Sequence, residues 1–285
     1  MAKKNIIDFQ KMKEAGEKIT YITSYNAQMA SFVEKAGIDM ILVGDSVGNT
    51  DLGYSSTLPV TMDEMIMHAR AVRRGTPNTF IVGDMPFMSY QASIEEAIRN
   101  AGRFIKEAEC DAIKLEGGVN MASRVKAISD AGILAMGHIG LAPQFAAQQG
   151  GWKAQGRSAS KAMEIVKDAL ALEEAGAFAI LVEGVPAPVS KAIARLCKIP
   201  ILGIGAGQPC DGQLLIIYDM LGIFQLFTPK FVKKYGNIGE EILKCLKEYR
   251  DDVISGRFPG DEHCYKMPEE EVTAFEELLI REVER

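Results

Sequence analysis

The chain has 285 residues, of which 47% are hydrophobic and 25% charged, and a net charge of −6. That length suits one large α/β domain with a sizeable core. The charge excludes a nucleic-acid footprint, since no basic block occurs and runs such as Arg73-Arg74 and Lys233-Lys234 are no more than pairs.

The five cysteines are scattered, with no C-x-x-C spacing, so neither a disulfide framework nor a zinc site is indicated. No stretch reaches the roughly 18 apolar residues of a membrane span, and the N-terminus has no apolar targeting core. The expectation is a soluble cytoplasmic protein with reduced thiols and no membrane partner.

In chain order, a polar helix around Asp8–Ala15 precedes the first apolar strand, Lys18–Thr23. Met29, Phe32 and Val33 share a helical face that Gly37 stops. The second strand, Met40–Val43, runs into Gly44-Asp45-Ser46, followed by a loop to Pro59 without apolar periodicity. Loops of that length in a compact domain are usually functional or mobile. Thr61-Met-Asp-Glu64 and Ser93-Ile-Glu-Glu96 are capping boxes that open helices two and three.

Between those helices, Thr79–Val82 is strand three, delivering Asp84; Ala112–Leu115 is strand four, carrying Lys114 and Glu116. Strand five, Ile133–Met136, reaches Gly137-His138. A second long segment, Ile139–Ser158, holds Gln144 and the single tryptophan, Trp152, and reads as a flap. Strand six, Phe178–Val182, delivers Glu183; strand seven, Pro200–Ile204, ends in Gly203-Ile-Gly-Ala-Gly207; and Leu214–Tyr218, the eighth apolar run, delivers Asp219. A helix at about Ile238–Val253 and an acidic helix from Glu269 complete the chain.

Eight strands alternating with helices predict a (β/α)8 TIM barrel over residues 1–265, with a C-terminal helical extension over 266–285. In such barrels the chemistry sits at the C-terminal strand ends, which places Asp45, Asp84 and Glu116 on neighbouring staves. Three clustered carboxylates need a cation or protons, and oxygen ligands favour Mg²⁺ or Mn²⁺, with one acid then acting at one remove from the ion. A single Gly-Asp strand end is ordinary turn chemistry; three on adjacent strands are not.

Lys114 lies two residues before Glu116 on one strand face, so it pairs with an acid, holds a substrate carboxylate or forms an imine. Glu183 is a candidate general base on a carbon acid, or a carboxylate closing a turn. His138 either holds substrate or caps its strand. The glycine-rich end of strand seven carries a phosphate site as a minor reading.

Taken together, Gly44-Asp-Ser46, Val82-Gly-Asp-Met85, Ile113-Lys-Leu-Glu-Gly-Gly118, Gly137-His-Ile-Gly-Leu-Ala-Pro-Gln144, Val182-Glu-Gly-Val-Pro186, Gly203-Ile-Gly-Ala-Gly207, Cys210-Asp-Gly-Gln213 and Asp219-Met-Leu-Gly222 resemble the ketopantoate hydroxymethyltransferase family, from about Ile19 to Tyr265. Ala142 stands where many members carry threonine.

The resemblance implies a Mg²⁺-dependent barrel, with one ion per subunit, that moves a hydroxymethyl group from 5,10-methylenetetrahydrofolate to 3-methyl-2-oxobutanoate. It implies a homodecamer acting on small molecules. It also implies a metal held among Asp45, Asp84 and Glu116, Ser46 and Lys114 on the oxoacid's carboxylate or oxo group, and Glu183 as base; with the residue reading, the expected substrate contacts are Asp45, Ser46, Asp84, Lys114 and His138. The competing expectations are a Mg²⁺-dependent 2-oxoacid carbon–carbon lyase or ligase on the same barrel, and a non-catalytic scaffold whose acids hold a structural cation.

Overall fold

The short apolar runs form, in a computed structural model that describes residues 3–284, eight parallel strands closed into one ring in sequence order. They are β1 Ile19–Thr23, β2 Met40–Val43, β3 Phe80–Asp84, β4 Ala112–Glu116, β5 Ala135–Gly140, β6 Ala179–Glu183, β7 Ile201–Ile204 and β8 Gly212–Leu215. Helix α1, Ile6–Ala15, precedes the ring; α2 Ala27–Lys35, α3 Val47–Thr50, α4 Met62–Gly75, α5 Ile94–Ala108, α6 Ala122–Asp130, α7 Ala159–Glu174, α8 Ala187–Leu196 and α9 Ile217–Met220 follow its strands.

Side chains alternate across each strand, so one parity fills the ring and the other meets the helices. Ile19, Tyr21, Met40, Leu42, Phe80, Val82, Ala112, Met136, Leu181 and Leu202 form the inner core, together with Phe9 of α1. Phe9 meets Phe80 edge-on with ring centroids 5.2 Å apart. The opposite parity, including Ile41, Val43, Ile81, Ile113 and Leu115, packs with the helices. Continuing the inward parity by one or two steps reaches Asp84, Lys114, Glu116, His138 and Glu183. The strand pattern thus aims these groups into one end of the ring.

The glycines before the acids have a packing reason. Gly83 belongs to the outward parity of β3, and a Cβ there would lie 2.3 Å from Phe104 Cδ1 of α5. Gly137 in β5 likewise faces Leu172 of α7, at 2.6 Å from a built Cβ. These residues let helices approach strands, which is why β5 runs on through His138 where the sequence suggested an end at Met136. Gly83→Ala is therefore expected to destabilise the fold by about 1–3 kcal/mol through overpacking, seen as a lower urea midpoint with an unchanged slope.

The capping box at Thr61–Glu64 is complete, whereas Ser93 accepts from Glu96 N without the reciprocal contact. Two expectations change. The segment after Asp45 is not structureless: it contains α3, because Val47 finds a buried position. The eighth strand begins at Gly212, where a Cβ would strike Ile19 O at 2.4 Å, and Asp219 lies in α9 rather than at the strand end.

Contacts group the chain into two units, one ending at Gly236 and one starting at Asn237. The second contains α10 Ile238–Ser255 and α11 Glu269–Val283, neither with a buried residue. Helix α10, grouped with the barrel in the sequence reading, falls in this unit. Among the described residues no helix is long and apolar enough to cross a membrane.

Candidate active site

Strand register sets the pairs that build the mouth. Asp84 of β3 is directly opposite Lys114 of β4, and Glu116 is directly opposite His138 of β5. Glu183 ends β6, next to Gly140 of β5. A cavity of about 1000 Å³ opens here, lined by Asp45, Ser46, Asp84, Lys114, Glu116, His138 and Glu183. All the residues singled out in the sequence as site residues meet in it.

Within the cavity they form a connected network. Lys114 Nζ lies 2.7 Å from Asp84 Oδ1 and 3.3 Å from His138 Nδ1. His138 Nδ1 is 3.4 Å from Glu116 Oε1, and its Nε2 is 3.1 Å from Glu183 Oε2. His138, a weak signal in the sequence, therefore sits between the acid cluster and Glu183. Asp45 N donates to Asp84 Oδ2 at 3.0 Å. Ser46 opens α3 without capping it, its hydroxyl instead meeting Tyr25 Oη at 2.9 Å.

Two participants were not legible as such. Gln144 Nε2 donates to Asp45 Oδ2 and to Met85 O, both at 2.9 Å, while its backbone N donates to Glu116 Oε2 at 2.9 Å. Tyr90 Oη in turn donates to Gln144 Oε1 at 2.7 Å and accepts from Glu116 N at 3.1 Å. An amide with every polar atom engaged fixes the orientation of its neighbours. Gln144 thus holds two of the acids from the start of the segment read as a flap, whose Trp152 is 59% exposed at the cavity.

The charges explain the proton affinities. Burial lifts the carboxyl of Asp45 well above the usual carboxylate range, and Asp84 and Glu116 push it further. Burial also lifts Asp84, although the Lys114 ammonium opposes it. Glu116 is lowered: burial works against its charge, but hydrogen bonding and attraction to His138 prevail. Lys114 is raised, because Asp84, Glu116 and Asp45 outweigh its desolvation. Asp45 and Asp84 remain short of positive charge.

His138 is raised to about 9: burial and the nearby Lys114 charge oppose protonation, while Glu116 and Glu183 favour it. A histidine with a folded pKa above its unfolded value of 6.5 stabilises the fold fully below that value. The contribution is lost as pH rises through about 9. In metal-free protein, the unfolding free energy should fall by on the order of 3 kcal/mol between these limits. His138→Gln should flatten that part of a urea-denaturation profile against pH.

The glycines after β7 are explained by backbone and packing. Gly205 and Gly207 adopt φ of +62° and +86°, and a Cβ on Gly205 would meet Phe231 Cδ1 at 2.6 Å.

The model of the ketopantoate hydroxymethyltransferase family matches residues 3–261. The chain belongs to the ketopantoate hydroxymethyltransferase family.

Within that family, the 3-methyl-2-oxobutanoate hydroxymethyltransferase of Alkaliphilus metalliredigens is 57% identical over 263 residues, covering 92% of this chain and 93% of the relative. The enzyme of the same name from Syntrophus aciditrophicus is 52% identical, covering 89% and 93%. Among solved structures, a phosphonopyruvate hydrolase in complex with oxalate and Mg²⁺ superposes with a TM-score of 0.61 at 14% identity, over 100% of this chain and 98% of that one. A 2,3-dimethylmalate lyase gives 0.57 at 14% identity, over 98% of each. These structures share the barrel fold; the family membership makes this chain a hydroxymethyltransferase.

Proposed function

We propose that the chain transfers a hydroxymethyl group from 5,10-methylenetetrahydrofolate to 3-methyl-2-oxobutanoate, giving 2-dehydropantoate, with a divalent cation such as Mg²⁺ in the barrel mouth. The observation that carries the reading is the network itself: a cation-poor pair of acids, a buried lysine and a carboxylate joined through one histidine.

The residues fit a cation that takes few protein ligands. Among the described residues no three His, Cys, Asp or Glu side chains are arranged to hold a metal by themselves. Glu116 is committed to His138 and Gln144. Asp84 Oδ1, although 2.7 Å from Lys114 Nζ, is buried without an aligned hydrogen bond, and Asp45 makes its side-chain hydrogen bond through Oδ2. Mg²⁺ commonly takes one or two carboxylates and keeps waters or substrate oxygens for the rest. Asp45 and Asp84 would hold it, with Glu116 acting through Gln144 and His138. Such an ion supplies Lewis acidity, drawing charge from the oxoacid's oxygens and acidifying C3–H.

The chain's own groups supply the rest. Ser46 and Lys114 bind the oxoacid oxygens, the ammonium offsetting negative charge that grows during proton loss. Glu183 takes the C3 proton, its carboxylate lying 3.1 Å from His138 Nε2. The carbanion then attacks the methylene carbon of the folate, breaking one of its two carbon–nitrogen bonds; water replaces the second nitrogen, supplying the hydroxyl oxygen of the product, and the two freed nitrogens leave protonated as tetrahydrofolate. Lys114 does not act through an imine: an imine-forming lysine needs a depressed pKa, and this one is raised and paired with Asp84. Borohydride with substrate should accordingly leave Lys114 unmodified.

The chain works in the cytoplasm as a homodecamer. Supporting an assembly, α10 and α11 expose the large apolar side chains Ile242, Leu246, Val253, Leu278 and Leu279, which a neighbouring subunit would cover. Light scattering should give about ten chain masses, and a monomer mass would refute it.

The testing assay supplies both substrates with and without Mg²⁺ and folate. Product that requires both supports transfer; turnover without folate supports the lyase alternative.

A further inference from the structure

Asp219 is a carboxylate in the cavity wall that the chemistry above does not use. It sits in α9, is 5% exposed, and lines the cavity together with Leu214, Ile216 and Phe224. Helix α9 is pinned at both ends: Ile217 N donates to Thr23 Oγ1 at 3.0 Å, and Tyr235 N donates to Met220 O at 2.7 Å.

The other buried acids of the mouth have partners: Asp45 has Gln144, Asp84 has Lys114 and Glu116 has His138. The Asp219 side chain, among the described residues, has no hydrogen-bond or ion-pair partner. Burial lifts its carboxyl to about 6, the charge of Lys234 opposing this. A buried carboxylate without donors is costly, and in a cavity it marks a place where a ligand brings them.

The two substrates differ in what they offer such a group. The oxoacid presents only acceptor oxygens, one pair of them charged, which an acceptor-only carboxylate repels. A tetrahydrofolate presents, on the pyrimidine edge of its pterin ring, an N3–H and a 2-amino group side by side. That is a two-donor fork of the kind a carboxylate takes through both oxygens. The ring's faces are apolar enough for the Leu214–Ile216–Phe224 wall.

We propose that Asp219 recognises the pterin of the one-carbon donor by accepting both donors of its pyrimidine edge. This rests on the transfer reading above and names the group that selects its folate. It also places the donor on the β8 side of the mouth, across the ring from the acids of β4.

The test compares wild type with Asp219→Asn, a substitution of the same shape that sets an amide donor against one donor of the fork. The KM for 5,10-methylenetetrahydrofolate should rise about tenfold or more, and calorimetric binding of tetrahydrofolate should weaken to match, while the KM for the oxoacid holds within about twofold. A folate with methyl in place of the 2-amino group should cost the wild type a similar factor and the variant little more.

An unchanged folate KM in Asp219→Asn overturns the proposal. So does an equal loss of folate-independent C3 proton exchange, which would assign Asp219 to the fold or to the oxoacid. A wild type that exchanges the C3 proton but binds no tetrahydrofolate refutes the transfer reading, and the proposal with it, before any variant is compared.

Discussion

Glu183→Gln is expected to reduce turnover by about 10²–10⁴-fold, the usual worth of a positioned general base, with the KM for the oxoacid little changed. Glutamine keeps the size of the side chain and its approach to His138 Nε2, now 3.1 Å from Glu183 Oε2, but has no lone pair basic enough to take a carbon-bound proton. The loss should therefore appear in kcat and in solvent exchange of the substrate's C3 hydrogen alike. A variant with slow turnover but normal exchange would move the base elsewhere. A variant with no loss in either would rule out Glu183 as the base.

The second large effect is expected at Lys114. Its side chain is among the largest fully buried in the protein, with its ammonium 2.7 Å from Asp84. Removing one partner of a buried pair typically costs about 3–5 kcal/mol, because the remaining charge is left uncompensated. Lys114→Met should lose that much stability near neutral pH. The sign of the pH dependence follows from Asp45 and Asp84, whose folded proton affinities are already raised. Groups with raised folded pKa bind more protons folded than unfolded, so acidification stabilises the fold. The variant's deficit should thus shrink between pH 7.5 and pH 5. A uniform deficit across that range would mean that packing, not charge, sets the role of Lys114.

The strands were legible because seven of them read as apolar runs at their correct places, and because the parity that packs Phe80 and Val82 also aims Asp84 inward. Boundaries failed where glycine served packing. Strand five was read as Ile133–Met136 and the eighth run as Leu214–Tyr218, yet Gly137 and Gly212 lie within their strands, each where a neighbouring residue, Leu172 or Ile19, occupies the space of a Cβ.

The acids and Lys114 announced themselves by being charged at the ends of apolar runs. Gln144 and Tyr90 did not, since an uncharged amide and a phenol in aperiodic segments carry no such contrast. Their contact spans 54 residues of sequence, and closure of the barrel creates it. His138 was visible, but its position between two acids depends on the register of three strands. Asp219 was visible too, though its lack of a partner is a property of the folded cavity alone.

The central claim is that this mouth loosens the hydrogen on C3 of an oxoacid and passes it to Glu183. The most direct test is proton NMR of 3-methyl-2-oxobutanoate in deuterium oxide with wild-type enzyme and Mg²⁺, and no folate present. The claim predicts loss of the C3 proton signal at a rate that depends on enzyme and on Mg²⁺. A C3 signal that persists in the presence of enzyme, under conditions where product still forms once folate is added, would contradict it.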